Sequence, residues 1–106
     1  MDPGPGGGIA NHGTMTISGA KITGNTAPTD SSNNPGIGGG IANANSGIPG
    51  SGVLTINGSK ITGNSASGGG GGIINMGGTV TLKGTKVTGN VPDNCEPPGT
   101  ITGCTG

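Results

Sequence analysis

Three blocks of sequence recur three times, in the same order, along this chain of 106 residues. Each repeat opens with glycines followed by isoleucine and asparagine, continues with threonine alternating with aliphatic residues, and closes with lysine, an aliphatic residue and Thr-Gly-Asn. The closing asparagines are Asn25, Asn64 and Asn90. A unit of this size cannot bury its apolar face alone, so each repeat must pack against its neighbours.

The spacing of the repeats indicates two insertions. The lysines of the closing block are 39 and then 26 residues apart. The difference of 13 residues corresponds to two insertions of about seven residues each, one after Asn25 and one after Asn43, in residues 26–37 and 44–51. Both segments are rich in Pro, Gly, Asn and Ser, the residues that favour surface loops.

Alternation of aliphatic residues with threonine, as in residues 14–17, is typical of a β-strand with one buried face. No segment has the period of an amphipathic helix. We therefore predict an all-β fold, a right-handed parallel β-helix (solenoid) of about three coils whose equivalent strands pair about 4.8 Å apart. The predicted division is coils in residues 1–90, with repeats near 6–25, 38–64 and 70–90, and a C-terminal capping segment with two cysteines in residues 91–106.

The same alternation assigns four aliphatic residues of each repeat to a narrow core. The chain contains no aromatic residue and is only 26% hydrophobic, which excludes an ordinary globular core. The predicted core residues are Ile9, Met15, Ile17, Ile22, Ile41, Leu54, Ile56, Ile61, Ile73, Val80, Leu82 and Val87. The threonines between them, among them Thr16, Thr55 and Thr81, are predicted to be exposed.

Two sets of asparagines recur at equivalent positions of the repeats. They are expected at corners, in the left-handed region of backbone conformation, where stacked side chains form hydrogen-bonded ladders. Solvated loop asparagines are the alternative. The two sets are Asn11, Asn43 and Asn75, and Asn25, Asn64 and Asn90.

Composition also excludes several classes of function. Four basic and four acidic residues give no net charge and no electrostatic footprint for nucleic acid. No apolar run is long enough to be inserted into a membrane. His12, the one histidine, is expected to be solvated, and the acidic residues lie outside the repeated strands. A catalytic set or metal site cannot be assembled from these residues, so we predict a protein that is not an enzyme and carries no cofactor.

The repeated unit Gly-Gly-Gly-Ile-x-Asn, Thr-x-Thr-Ile/Leu, Ile/Val-Thr-Gly-Asn resembles the glycine-rich right-handed parallel β-helix repeats of bacterial secreted and surface proteins. More loosely, it is similar to the polymorphic outer-membrane-protein repeats, in which Gly-Gly-Ala-Ile and Phe-x-x-Asn motifs recur. Residues 7–9 are similar to the first motif, and residues 22–25 match the second with Ile in place of Phe. The resemblance covers residues 6–90. It implies a secreted or surface location and an adhesin-like or structural role.

One repeated position carries charge. Its three lysines are predicted to form an outward column beside a column of threonines. A solvated column that keeps a β-surface from aggregating is one interpretation, and a binding site for an acidic polysaccharide or cell-surface glycan is the other. The outward threonines also raise an ice-binding interpretation. The candidate ligand-binding residues are Lys21, Thr23, Lys60, Thr62, Lys86 and Thr88.

Cys95 and Cys104 follow the last repeat. In a small chain poor in apolar residues, two cysteines suggest a disulfide and an oxidising compartment, with free thiols of a cytosolic protein as the alternative. The chain shows no signal peptide, and its first residues run directly into a repeat. We therefore expect further solenoid coils ahead of the N-terminal end.

Together these features predict a non-catalytic structural or adhesin-like β-helix module of a secreted or surface protein, with a glycan as its partner. The alternatives are a fragment of a β-helix polysaccharide-active enzyme, a lyase or hydrolase that lacks its active site, and an inert fragment.

Overall fold

A computed structural model of the chain describes residues 8–27, 33, 36–45, 47, 51–96 and 101–104. These residues contain strands and no helix. In chain order the strands are β1 (Ile9–Asn11), β2 (Thr14–Ser18), β3 (Lys21–Thr23), β4 (Thr26–Ala27), β5 (Ile41–Ala44), β6 (Val53–Asn57), β7 (Lys60–Thr62), β8 (Ser65–Ala66), β9 (Ile73–Met76), β10 (Thr79–Lys83), β11 (Lys86–Thr88) and β12 (Cys95–Glu96).

All strand pairs among these elements are parallel. The first sheet has the order β1-β5-β9-β12, the second β2-β6-β10, the third β3-β7-β11, and the fourth contains β4 and β8. Apart from β12, each strand pairs with the strand of the same sequence block in the next repeat. The predictions of an all-β fold and of equivalent strands stacked in parallel are confirmed.

The register of the stacked strands follows the sequence repeat. Ile9 lies opposite Ile41, which lies opposite Ile73 in the first sheet. Such pairing places like side chains above one another on both faces of each sheet, because side chains alternate strictly along a strand.

Both insertions begin later than the sequence spacing suggests. Ala27 pairs with Ala66 in the fourth sheet, and Ala44 pairs with Met76 in the first. Both alanines are buried, with 1% and 8% of their surface exposed. The prediction that the insertions start directly after Asn25 and Asn43 is therefore wrong, since each repeat keeps one or two further paired residues before its loop.

Eight of the twelve predicted core residues are buried, and the other four pack against them as half-buried side chains. The half-buried residues, which lie in the first and third repeats, are Ile9, Met15, Ile17 and Leu82. Thr16 and Thr81 are exposed as predicted, whereas Thr55 is half-buried. Thr55 differs because β6 lies between β2 and β10, whose threonines stand on either side of it.

The first asparagine ladder, formed by Asn11, Asn43 and Asn75, is buried. Nδ2 of Asn11 donates to Oδ1 of Asn43 at 2.8 Å, and Nδ2 of Asn43 donates to Oδ1 of Asn75 at 3.1 Å. Each repeat therefore donates to the next one along the chain. The predicted hydrogen bonding between repeated asparagines is confirmed.

The second asparagine ladder has four members: Asn25, Asn64, Asn90 and Asn94. Nδ2 of each of the first three donates to Oδ1 of the next, at 3.1, 2.9 and 3.0 Å. Asn94 follows Asn90 by only four residues, so the repeat spacing could not have identified it. It continues the ladder beyond the third repeat.

The corner conformation belongs to glycine rather than to asparagine. In the Thr-Gly-Asn blocks, Gly24, Gly63 and Gly89 have φ angles of 68°, 67° and 66°. Among the described residues that are not glycine, only Asn33 has a positive φ. The expectation that the ladder asparagines occupy the left-handed region is wrong. In the second ladder the preceding glycine adopts that conformation without steric cost, and the asparagines of the first ladder lie within strands β1, β5 and β9.

Residues after the third repeat contact its end. The strand β12 pairs with β9, Thr102 forms a parallel bridge with Thr81, and Ile101 is buried in the core. Cys95 and Cys104 form a disulfide, with Cα atoms 6.3 Å apart. The predicted disulfide is confirmed, and it is consistent with an extracellular or secreted location.

Replacing both cysteines with serine is expected to lower the free energy of unfolding by about 2–3 kcal/mol, because the bond restricts a short loop in the unfolded chain. Urea unfolding of the double variant and the parent measures the difference. Alkylation without reduction, followed by intact-mass measurement, serves as the control. Two freely alkylated thiols in the native protein would contradict the assignment.

Candidate functional site

The third sheet places the three repeated lysines in one line. Lys21 lies opposite Lys60, and Lys60 lies opposite Lys86. Adjacent parallel strands are about 4.8 Å apart, so this spacing separates neighbouring Cα atoms of the lysine column. All three side chains are exposed, and each precedes a buried aliphatic residue that anchors its strand.

A threonine column runs beside the lysine column, two residues further along each strand. Thr23 and Thr88 are exposed, and Thr62 is half-buried between them. The alternation of the strand places lysine and threonine on the same outward face. Together the two columns define the lysine–threonine face, which offers three ammonium groups and three hydroxyls in register.

The fourth lysine stands outside this face. Lys83 ends β10 in the second sheet, where Asn57 is its partner in register. It is exposed and lies only three residues before Lys86. Lys83 therefore provides a cation of equal charge on a different sheet, which makes it a suitable control position.

The outward face of the second sheet is less regular. Its middle strand presents Val53 and Asn57 on either side of Thr55, and its last strand ends in Lys83. A regular array of threonine hydroxyls is thus interrupted, which gives no support to the ice-binding interpretation.

Two acidic residues lie after the third repeat. Oδ1 of Asp93 accepts hydrogen bonds from the backbone N–H groups of Gly70 at 2.7 Å and Gly71 at 3.2 Å. The protonated carboxyl group of Glu96 donates a hydrogen bond to the Asp93 side chain, which raises the pKa of Glu96, and desolvation and the Asp93 charge raise it further. This interaction stabilises the fold at acidic pH and is lost as the pH rises through the pKa of Glu96.

His12, the one histidine of the chain, is exposed between β1 and β2. In the described part of the chain no three His, Cys, Asp or Glu residues come together as a metal site would require. No cavity is found among these residues either.

Comparisons with protein-family models, with curated proteins and with solved structures give no match to this chain. The fold itself defines the class, an all-β protein of stacked parallel strands. No helix of the described residues has the length and apolar character needed to cross a membrane.

Proposed function

We propose that the three repeats are successive coils of a right-handed parallel β-helix. Parallel pairing of equivalent strands, the aliphatic core and glycines at the corners support this architecture. Right-handedness is supported by the strong general preference of connections between parallel strands of one sheet.

The proposed role is that of a non-catalytic structural or adhesin-like module in a secreted or surface protein. Such a module needs a rigid, repetitive surface, and the two asparagine ladders and the disulfide provide rigidity. Because similar folds carry unrelated functions, the proposal rests on the surface and not on the architecture.

The observation that carries the proposal is the register of Lys21, Lys60 and Lys86 on one exposed face. Unit charges at the spacing of neighbouring strands repel by roughly 1 kcal/mol or less in water. An anionic polymer lying along the column would relieve this repulsion at three points, while the threonine hydroxyls bond its sugar hydroxyls. We propose an acidic polysaccharide or cell-surface glycan as the ligand.

A glycan array read at low and high ionic strength tests the proposal. Binding to anionic glycans is expected to fall steeply as salt screens exposed charges. Lys60→Ala, at the centre of the column, is expected to weaken binding by about three- to tenfold, an interaction of roughly 1 kcal/mol.

Lys83→Ala is the matched control, because it removes the same charge from the second sheet. It is expected to retain most of the binding. Equal losses for the two variants, salt-independent binding or turnover of a polysaccharide would each contradict the proposal. Turnover would favour the enzyme alternative, and an absence of binding would favour an inert fragment.

A further inference from the structure

The two ends of the stack of repeats differ. At the third-repeat end, β12 pairs with β9, Ile101 is buried, and Asn94 continues the second asparagine ladder. At the first-repeat end, β1, β2 and β3 each have one neighbouring strand among the described strands, as β10 and β11 do at the other end, but no described strand or bridge covers the open side of any of the three. An edge strand with an unpaired side is a template for pairing with another strand.

The first-repeat end is also less well buried than the interior of the stack. Leu54 and Ile56 have 0% of their surface exposed. Met15 and Ile17 lie directly opposite them in β2 and are only half-buried. Another repeat stacked on β2 would cover these two side chains as β2 covers those of β6.

The second asparagine ladder indicates which hydrogen-bond donors a further repeat would supply. Oδ1 of Asn64 accepts hydrogen bonds from the backbone N and from Nδ2 of Asn25, at 2.9 and 3.1 Å. Oδ1 of Asn90 likewise accepts hydrogen bonds from the backbone N and from Nδ2 of Asn64, both at 2.9 Å. No described residue donates to Oδ1 of Asn25. Within the described part of the chain, the ladder therefore begins with an acceptor that lacks the pair of donors received by its counterparts.

We infer that the first-repeat end is an interaction surface for one further repeat of the same pattern, linked ahead of the first. That repeat would run parallel to β1, β2 and β3, place aliphatic side chains over Met15 and Ile17, and donate from an asparagine to Oδ1 of Asn25. The inference rests on the β-helix architecture proposed above and is independent of glycan binding.

A second copy of the chain fits this surface less well. Two first-repeat ends related by a twofold axis would pair antiparallel and bring together two Asn25 acceptors. Head-to-tail stacking would require the third-repeat end, where β12 and Ile101 already lie. The direction of the hydrogen bonds in the ladder therefore favours a further parallel repeat over a second copy of the chain.

The test is a chain with a copy of residues 65–90 fused directly before Met1. The copied asparagine then lies as far ahead of Ile9 as Asn64 lies ahead of Ile73. Oxidation of Met15 by dilute peroxide, followed by mass spectrometry, reports its coverage. We expect it to become roughly tenfold slower relative to the half-buried Met76, and backbone amides of β2 to exchange more slowly.

Two control fusions separate packing from mere attachment. One carries Val80→Ser, Leu82→Ser and Val87→Ser in the copied segment, and the other carries Asn90→Leu there. Both are expected to leave Met15 as reactive as in the unfused chain. Equal protection by the parent fusion and the serine control would overturn the inference. A concentration-dependent dimer of the unfused chain that protects Met15 would overturn it in favour of a second copy.

Discussion

Replacing Asn64 with alanine is expected to lower the free energy of unfolding by about 3–5 kcal/mol, because several buried polar groups lose their partners together. Asn64 has 0% of its surface exposed. Its Nδ2 donates to the backbone oxygen of Ile22 at 2.8 Å and to Oδ1 of Asn90 at 2.9 Å. Its Oδ1 accepts both donors of Asn25. The substitution interrupts the second asparagine ladder at the middle repeat.

Asn57→Ala is the matched control for this variant. Asn57 belongs to the same repeat but is half-exposed, and its side chain donates only to Oγ of Ser18, at 3.5 Å. Its replacement is expected to change stability by no more than about 0.5 kcal/mol. Urea unfolding of both variants under non-reducing conditions measures the difference. Similar losses for the two variants would show that the ladder does not stabilise the fold.

Gly40→Ala is expected to lower the free energy of unfolding by about 2–4 kcal/mol through overpacking. A Cβ atom at this position would lie 2.7 Å from the backbone oxygen of Gly72, 3.1 Å from Nδ2 of Asn64 and 3.2 Å from Cγ2 of Ile61. The nearest of these atoms belongs to the neighbouring repeat's backbone, which is held by sheet hydrogen bonds and cannot move independently. Because glycine has no Cβ atom, the backbones of the second and third repeats can pack closely at this position, next to Asn64 of the second asparagine ladder.

Gly13→Ala is the corresponding control. Nothing lies within 4 Å of a Cβ atom at Gly13, and its φ is not positive. Alanine there is expected to be neutral or to stabilise by about 0.4–1 kcal/mol, because it restricts the unfolded chain. Thermal and urea unfolding compare the two variants. A Gly40→Ala protein as stable as Gly13→Ala would contradict the close packing of the repeats.

Much of the site was predictable because its residues recur. Lysine and threonine each recur at an equivalent position of all three repeats. These positions line up only when the repeats stack in register, so the sequence spacing predicts both columns. The residues that the spacing missed have no repeated counterpart. Asn94 and Ile101 are single residues of the C-terminal segment, and their places in the ladder and the core come from contacts with the third repeat.

The sequence by itself determined the strands, their parallel register and the inward face, because alternation with β-branched residues allows one face to be buried and identical repeats match only in register. The tertiary structure alone decided two other features. It set the direction of the asparagine ladders, and it left the first repeat less covered than the second. Each of these depends on which residues of the neighbouring repeat lie within reach, and local sequence does not contain that information.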